Sequence, residues 1–233
     1  MAINLVKGQR INLSKENGME LKEFCVGCNW GMIPTGKTIS KTIKPGFLGL
    51  GRKTERIQEL RAVDLDLSCI MLDENKRMVD HVYSPMYRQE WLARYHMPKG
   101  KLFSLDGALN HSGDDLEGDD NGDDGLDNEI ITVNLYKVND KIKEIYFFLN
   151  NVGTEDFSQI PYASIRMYEG TPQKVQNIYA KYDVAAIPQY KGKRALVMGK
   201  LYRTKNQWKF AAIGDAYDDQ NLCETISRIL YTY

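Results

Sequence analysis

The sequence predicts an all-β protein, a β-sandwich of two mainly antiparallel sheets with few peripheral helices, one of them C-terminal. Three observations carry this expectation. Apolar and polar residues alternate with period two along several segments, as half-buried strands require. Short runs of aromatic and β-branched residues recur between Gly, Asn, Asp or Pro. Helical spacing, by contrast, is strong only at the C-terminus.

In chain order, Ile3, Leu5, Ile11 and Leu13 flank a turn at Lys7-Gly8, and Leu21 to Trp30 follows as a strand. Val63, Leu65, Leu67 and Cys69 alternate with Asp64, Asp66 and Ser68, which predicts a strand with one dry and one wet face. Ile131, Val133, Leu135 and Val138 repeat that pattern, and Glu144 to Asn150, Ser164 to Tyr168, Ala195 to Tyr202 and Gln207 to Ala212 add further strands. A short helix is expected through Arg88 to Tyr95. In the second helix Leu222, Ile226, Ile229 and Leu230 fall on one face, behind Asp219 as the expected cap. Two stretches read as loops: Met32 to Gln58, rich in Gly, Thr and Lys, and the acidic segment His111 to Glu129.

With 233 residues, 42% apolar, the chain can bury one good core, and a single sandwich domain over 1–233 is expected. No run of about 18 apolar residues exists to span a membrane. Met1 to Arg10 lacks the apolar stretch of a secretory signal, and four cysteines make no disulfide framework, so a cytoplasmic protein is expected.

Charge is distributed very unevenly. Net charge is zero, yet Asp106 to Glu129 holds ten acids and no Lys or Arg, so the remaining residues sum to +10. One acidic pole on a mildly basic body is not the footprint of a nucleic-acid-binding protein. Lys37 to Arg61, with seven basic and two acidic residues, is the most basic stretch and reads as a solvated loop.

Nine of those acids lie between His111 and Glu129: Asp114, Asp115, Glu117, Asp119, Asp120, Asp123, Asp124, Asp127 and Glu129. At a spacing of about 6 Å each neighbouring pair repels by roughly 0.7 kcal/mol even in water, so a compact form needs counter-charge. Hard divalent cations supply it, Ca2+ in particular, because it takes about 6–8 oxygen ligands in irregular geometry. The spacing excludes an EF-hand. Its nearest frame, Glu117, Asp119, Asn121, Gly122, places Asn128 at the twelfth position instead of Glu129, and a strand follows where that motif needs a helix. The expectation is a loop at a sheet end, closed around one or two Ca2+ ions, with Asp64 and Asp66 helping from one face of their strand. His111, which opens the loop, can orient it by a hydrogen bond behind the ligands.

Other motifs offer competing chemistry. Gly31-Met-Ile-Pro-Thr-Gly36-Lys37-Thr38 matches the phosphate-binding pattern G-x-x-x-x-G-K-[ST] in full, and a nucleotide-binding protein using Gly31 to Thr38 is the alternative function. The helix that pattern needs is interrupted early by Pro45-Gly46. Cys25 and Cys28, three apart in a strand, point to opposite faces and read as core residues rather than half of a zinc site. His81, His96 and His111 lie near no nucleophile in sequence, and no enzymatic activity is expected.

Taken in order, the motifs resemble the TerD family of tellurium-resistance and general-stress proteins. The resemblance rests on Leu5-Val-Lys-Gly8 with Ile11-Asn-Leu13, on Val26-Gly27 with Trp30, and on Asp64-Leu-Asp66-Leu-Ser68. Asp106-Gly107, His111-Ser-Gly113-Asp114-Asp115, Gly118 and Asp127-Asn-Glu129-Ile130 then follow the pattern H-x-G-D-N-x-T-G and D-D-E-x-I. Leu201-Tyr202-Arg203 and Trp208-Lys-Phe210, with Ala212 and Gly214, match the closing hairpin. Membership implies a β-sandwich holding calcium at one end, with Asp64, Asp66, Asp114, Asp115, Asp127 and Glu129 as ligands and other stress-response proteins as partners. Asp115 stands where the family has Asn, and Glu117 where it has Thr. A longer stretch between Gly118 and Asp127 brings Asp119, Asp123 and Asp124 into competition for ligand roles, and Met32 to Gln58 resembles an insertion.

Overall fold

A computed structural model describes residues 3–4, 8–13, 20–43, 53–185, 188–205 and 207–233. Its first sheet has the order β1-β12-β11-β3-β9-β8, built from β1 (Ile3–Asn4), β3 (Glu23–Trp30), β8 (Leu109–His111), β9 (Glu129–Asn134), β11 (Ala163–Thr171) and β12 (Lys174–Asp183). The second runs β2-β14-β13-β10-β6-β7, from β2 (Arg10–Asn12), β6 (Leu65–Leu72), β7 (Met78–Val82), β10 (Glu144–Asn151), β13 (Ala195–Arg203) and β14 (Trp208–Tyr217). All pairings are antiparallel except the short β1–β12 contact, as the alternation of half-buried strands leads one to expect.

Two layers meet through the side chains that the period-two pattern assigns inward. Val26, Cys28 and Trp30 of β3 and Ile131 and Val133 of β9 pack against Leu65 and Leu67 of β6 and Phe147 and Leu149 of β10. Each such apolar side chain taken fully out of water contributes about 1.5–3 kcal/mol. Cys28 lies in this core while Cys25 faces outward beside Ile130 and Tyr168, and all four cysteines are free.

The expected wet face of β6 is not wet: all eight of its residues are buried. Helix α2 (Leu222–Thr232) lays Leu222, Cys223, Ile226 and Ile229 over Ile70, Leu72, Phe148 and Val197 on the outer side of the second sheet. Leu92 of the short helix α1 (Gln89–Arg94) joins the same cluster. Strand alternation therefore separates two dry compartments here. Asn221, not Asp219, caps α2, its side chain accepting from the Glu224 amide at 3.1 Å. Asp219 instead turns inward and is gripped by Arg228, whose Nε lies 3.1 and 3.0 Å from the two carboxylate oxygens.

The described residues of Met32 to Gln58 are not a loop. Strands β4 (Ile33–Ile43) and β5 (Lys53–Arg61) form an antiparallel ribbon, with Thr38 opposite Gln58 and Ile43 opposite Lys53. Among its described side chains none is fully buried, so the ribbon carries no apolar alternation for the sequence to reveal. It also overturns the phosphate-loop alternative. Lys37 and Thr38 lie within a strand that pairs onward with β5, so no helix N-terminus follows them to face a phosphate. Pro45-Gly46, like Leu5 and Lys7, falls outside the described residues.

Candidate metal centre

The acidic segment is the connection between two paired strands. β8 and β9 are antiparallel neighbours, His111 opposite Ile131, so the loop leaves and re-enters the same end of the first sheet. Backbone hydrogen bonds tie it down: Asn128 N–H donates to Cys28 O at 2.9 Å, Asp119 N–H to Trp30 O at 3.0 Å, and Val63 N–H to Glu117 O at 3.0 Å. Gly118, at φ +82°, sits against the Trp30 indole where any Cβ would collide with the ring. Trp30 Nε1–H donates to Val63 O at 2.7 Å, which brings the start of β6 under the loop.

Three carboxylates from three segments converge there. Asp66, Asp114 and Glu129 each offer an oxygen within 4.8 Å of the others. Glu129 is fully buried: its Oε2 accepts from Leu67 N–H at 2.7 Å and its Oε1 from Asp115 N–H at 3.1 Å. His111 stands behind it. The Gly113 amide donates to His111 Nδ1 at 3.0 Å, so Nε2 carries the proton, donating to Leu67 O at 2.9 Å and lying 3.4 Å from Glu129. Asp114 accepts from the Ser84 hydroxyl, while its Oδ1 and Asp64 Oδ1 are buried without a hydrogen-bond partner.

Burial and mutual repulsion dominate the electrostatics of this group. Loss of water pushes the Asp66 carboxyl well above the usual range, with Glu129, Asp64 and Asp114 adding to the rise. Glu129 is also raised by burial, against the lowering pull of His111 and two amides. Asp64 is raised to about 6, by burial first and then by Glu129, Asp114 and Asp115. The Tyr87 hydroxyl is buried beside Asp66 and pulls its carboxyl back down against these rises. Carboxylates this crowded favour a proton or a cation.

A second group, Asp119, Asp123 and Asp124, also offers oxygens within 4.8 Å of one another but lies nearer solvent. Several of its oxygens already accept hydrogen bonds from the protein. Asp119 takes hydrogen bonds from Asn29 Nδ2 at 3.2 Å, Asn128 Nδ2 at 3.1 Å and Tyr162 Oη at 3.0 Å. Asp123 accepts from Gly125 N–H at 2.7 Å and Asp124 from Leu126 N–H at 2.8 Å.

Asp115 and Asp127 belong to neither trio. Asp115 folds the loop, its Oδ1 accepting from the Glu117 and Gly118 amides at 2.9 Å each. Asp127 pairs with Arg166, Nε to Oδ1 2.9 Å, and presses on Gly27, where no side chain would fit. Arg166, Ser84, Tyr87, Asn29 and Tyr162 were not legible as site residues, because each comes from a distant strand or turn. Asn128 is different: it stands inside the Asp127-Asn-Glu129 motif, and its side chain accepts from Trp30 N–H at 2.9 Å.

The hard, oxygen-only donor set of Asp64, Asp66, Asp114 and Glu129 suits Ca2+ and not Zn2+. Two oxygens bound to one Ca2+ at 2.3–2.6 Å lie at most about 5 Å apart, a limit the inner trio meets.

Comparison with known proteins places this architecture. The chain is 32% identical over 232 residues to stress response protein SCP2 of Bacillus subtilis, covering 98% of this chain and 99% of that protein. It is 27% identical over 216 residues to tellurium resistance protein TerZ of Serratia marcescens, covering 92% and 90%. A crystal structure of a homologue of telluride resistance protein (TerD) from Streptomyces coelicolor A3(2) superposes with a TM-score of 0.59 at 14% identity, over 91% of this chain and 99% of that one, which shows the shared fold. The TerD domain model matches residues 1–228, and the chain therefore belongs to the TerD family.

Proposed function

We propose that this chain is a non-enzymatic, cytoplasmic calcium-binding protein of the stress response, in which Ca2+ orders the acidic loop and fixes a surface for another stress-response protein. The observation that carries this reading is the inner carboxylate set. Asp66 and Glu129 are buried, Asp64 and Asp114 hold partnerless buried oxygens, and Asp66, Asp114 and Glu129 converge within 4.8 Å with Asp64 beside them. Ca2+ there would cancel part of the repulsion and satisfy the orphaned lone pairs. The names of the relatives, stress response and tellurium resistance, denote no catalysis. Among the described residues no helix is long and apolar enough to cross a membrane.

Order would reach the loop surface through short connections. Asp114 and Asp115 lead directly to Leu116, which is 47% exposed. Fixing them fixes the apolar side chain a partner would touch. Calorimetric titration of chelator-treated protein with Ca2+ tests the reading. At a Ca2+ concentration of 100 times Kd the ion adds about 2.7 kcal/mol, and a rise of several degrees in Tm is expected. Absence of both heat and thermal shift at millimolar Ca2+ overturns the proposal. A shift with no change in capture of a partner protein reduces the ion to a structural role.

A further inference from the structure

Asp64, Asp66 and Asp114 also line a cavity of about 490 Å3 on the outer side of the second sheet. That volume is typical of small-molecule sites. Its mouth is apolar: Met86, Trp91, Leu116 and Val152 border it, and their exposures run from 47 to 64%. Four large apolar side chains in water around one opening mark a contact surface.

Asn150 supplies an independent sign of a ligand. It is 2% exposed, pairs across the strands with Asp66, and lines the same cavity. Its amide orientation follows from its neighbours. Both Asp219 oxygens accept from Arg228, and the Thr225 hydroxyl donates to Asp219 Oδ2 at 3.2 Å. Thr225 must then accept, and Asn150 Nδ2 donates to it at 2.8 Å. The amide is thereby locked with Oδ1 turned away from Thr225, buried and without a hydrogen-bond partner. An acceptor held this way awaits a donor.

The charge balance selects the ligand class. Asp64, Asp66 and Asp114 line the floor and Glu129 lies behind it, within 4.8 Å of Asp66 and Asp114; a dication cancels two of these four charges and Arg88 on the wall offsets one more, so the loaded pocket stays anionic. Phosphate or carboxylate ligands are repelled. Hydroxyl groups fit on both counts: their oxygens complete a Ca2+ shell, which accepts about 6–8, and their protons go to neighbouring acceptors.

We propose that the loaded metal centre is the floor of a binding pocket for a neutral polyhydroxylated molecule, whose vicinal hydroxyls bind the ion and hydrogen-bond to Asn150 Oδ1 while its C–H face lies on Trp91. The proposal rests on the calcium reading above. It assigns to Asn150 and Trp91 roles in holding this molecule rather than the ion.

The test uses the full chain with saturating Ca2+ and, as probes, methyl β-D-ribofuranoside, methyl α-D-mannopyranoside and myo-inositol, with the 2-deoxy ribofuranoside and inorganic phosphate as controls. At least one polyol is expected to bind saturably at about millimolar concentration, read by calorimetry and by tryptophan fluorescence. EDTA should abolish that binding. Asn150→Ala should weaken it about tenfold and Trp91→Ala at least about fivefold, both with Ca2+ affinity unchanged. Trp91 is half exposed, so its variant remains informative if Asn150→Ala fails to fold. Ca2+ heat with no polyol binding overturns the pocket and leaves the metal reading standing. Absence of Ca2+ heat overturns both. Binding that persists in EDTA, or that phosphate alone shows, also overturns the pocket.

Discussion

The two carboxylate trios of the acidic loop have the same spacing and opposite needs. Asp119, Asp123 and Asp124 lie nearer solvent and each accepts at least one hydrogen bond from an amide or hydroxyl of the protein itself. Asp66, Asp114 and Glu129, with Asp64 beside them, are packed into the sandwich end: Asp64 and Asp114 each hold a buried oxygen with no hydrogen-bond partner, and burial raises the pKa of Asp64, Asp66 and Glu129. Nine acids in one segment give the proposed cation nine candidate ligands. Only burial and partner accounting tell which acids want one, because a solvated carboxylate with three donors gains little from an ion that must first shed water.

The largest expected effect breaks that symmetry directly. Asp66→Asn combined with Asp114→Asn should weaken Ca2+ binding by about three orders of magnitude, roughly 4 kcal/mol, in calorimetry. Asp123→Asn with Asp124→Asn should change the same affinity by less than about threefold, since the charges removed are exposed and screened. Equal losses from the two pairs would mean that loop charge as a whole, not the buried site, holds the ion.

How far the sequence foretold this contrast depends on which forces shaped each part. Strands β3, β6, β9, β10, β11, β13 and β14 were legible because each has a face against the inter-sheet core, and burial stamps period two on the residues. The β4–β5 ribbon and β12 were not, since their side chains are mostly exposed or half-exposed and backbone pairing leaves no hydrophobic signature. Asp219 was misjudged as a cap for a related reason: a helix-start pattern shows an acid near the first turn but not Arg228, two turns on, reaching back to claim it. At the site, the motif acids were legible as a set. Their division was not, because Arg166, which draws Asp127 aside, sits on β11, 39 residues further along the chain.

Asp127 separates fold from ion binding within a single motif. Its carboxyl is raised by burial, with the Arg166 guanidinium pulling it back down. Asp127→Asn keeps the shape and removes the charge opposite Arg166. Chemical denaturation of the metal-free protein should show a loss of about 1–2 kcal/mol. Ca2+ affinity should stay within about threefold of wild type, because Asp127 faces Gly27 and Arg166 instead of the inner trio. A loss of affinity comparable to that of the inner pair would put Asp127 among the ligands.

The smallest effect is in the pH dependence, and its sign is unusual for carboxylates. Asp64 is raised to about 6 from an ordinary value of 3.8, so between those limits the folded protein holds a proton that the unfolded chain releases. The resulting destabilisation is complete above about pH 6 and is relieved as pH falls toward 4. Asp66, raised by burial and by Glu129, and Glu129, raised by burial, act in the same direction. His81 opposes them, because burial lowers its pKa and acidification below about 6.5 charges it more readily in the unfolded chain. The informative quantity is therefore the difference between wild type and Asp64→Asn in EDTA. Lowering the pH from 7.5 to 5 should raise the Tm of wild type relative to that variant by about 3–6 °C. With saturating Ca2+ the difference should reverse, as protons then compete with the ion for the same oxygens. A wild-type curve parallel to that of Asp64→Asn in EDTA would show that the inner carboxylates are not crowded enough to need the ion.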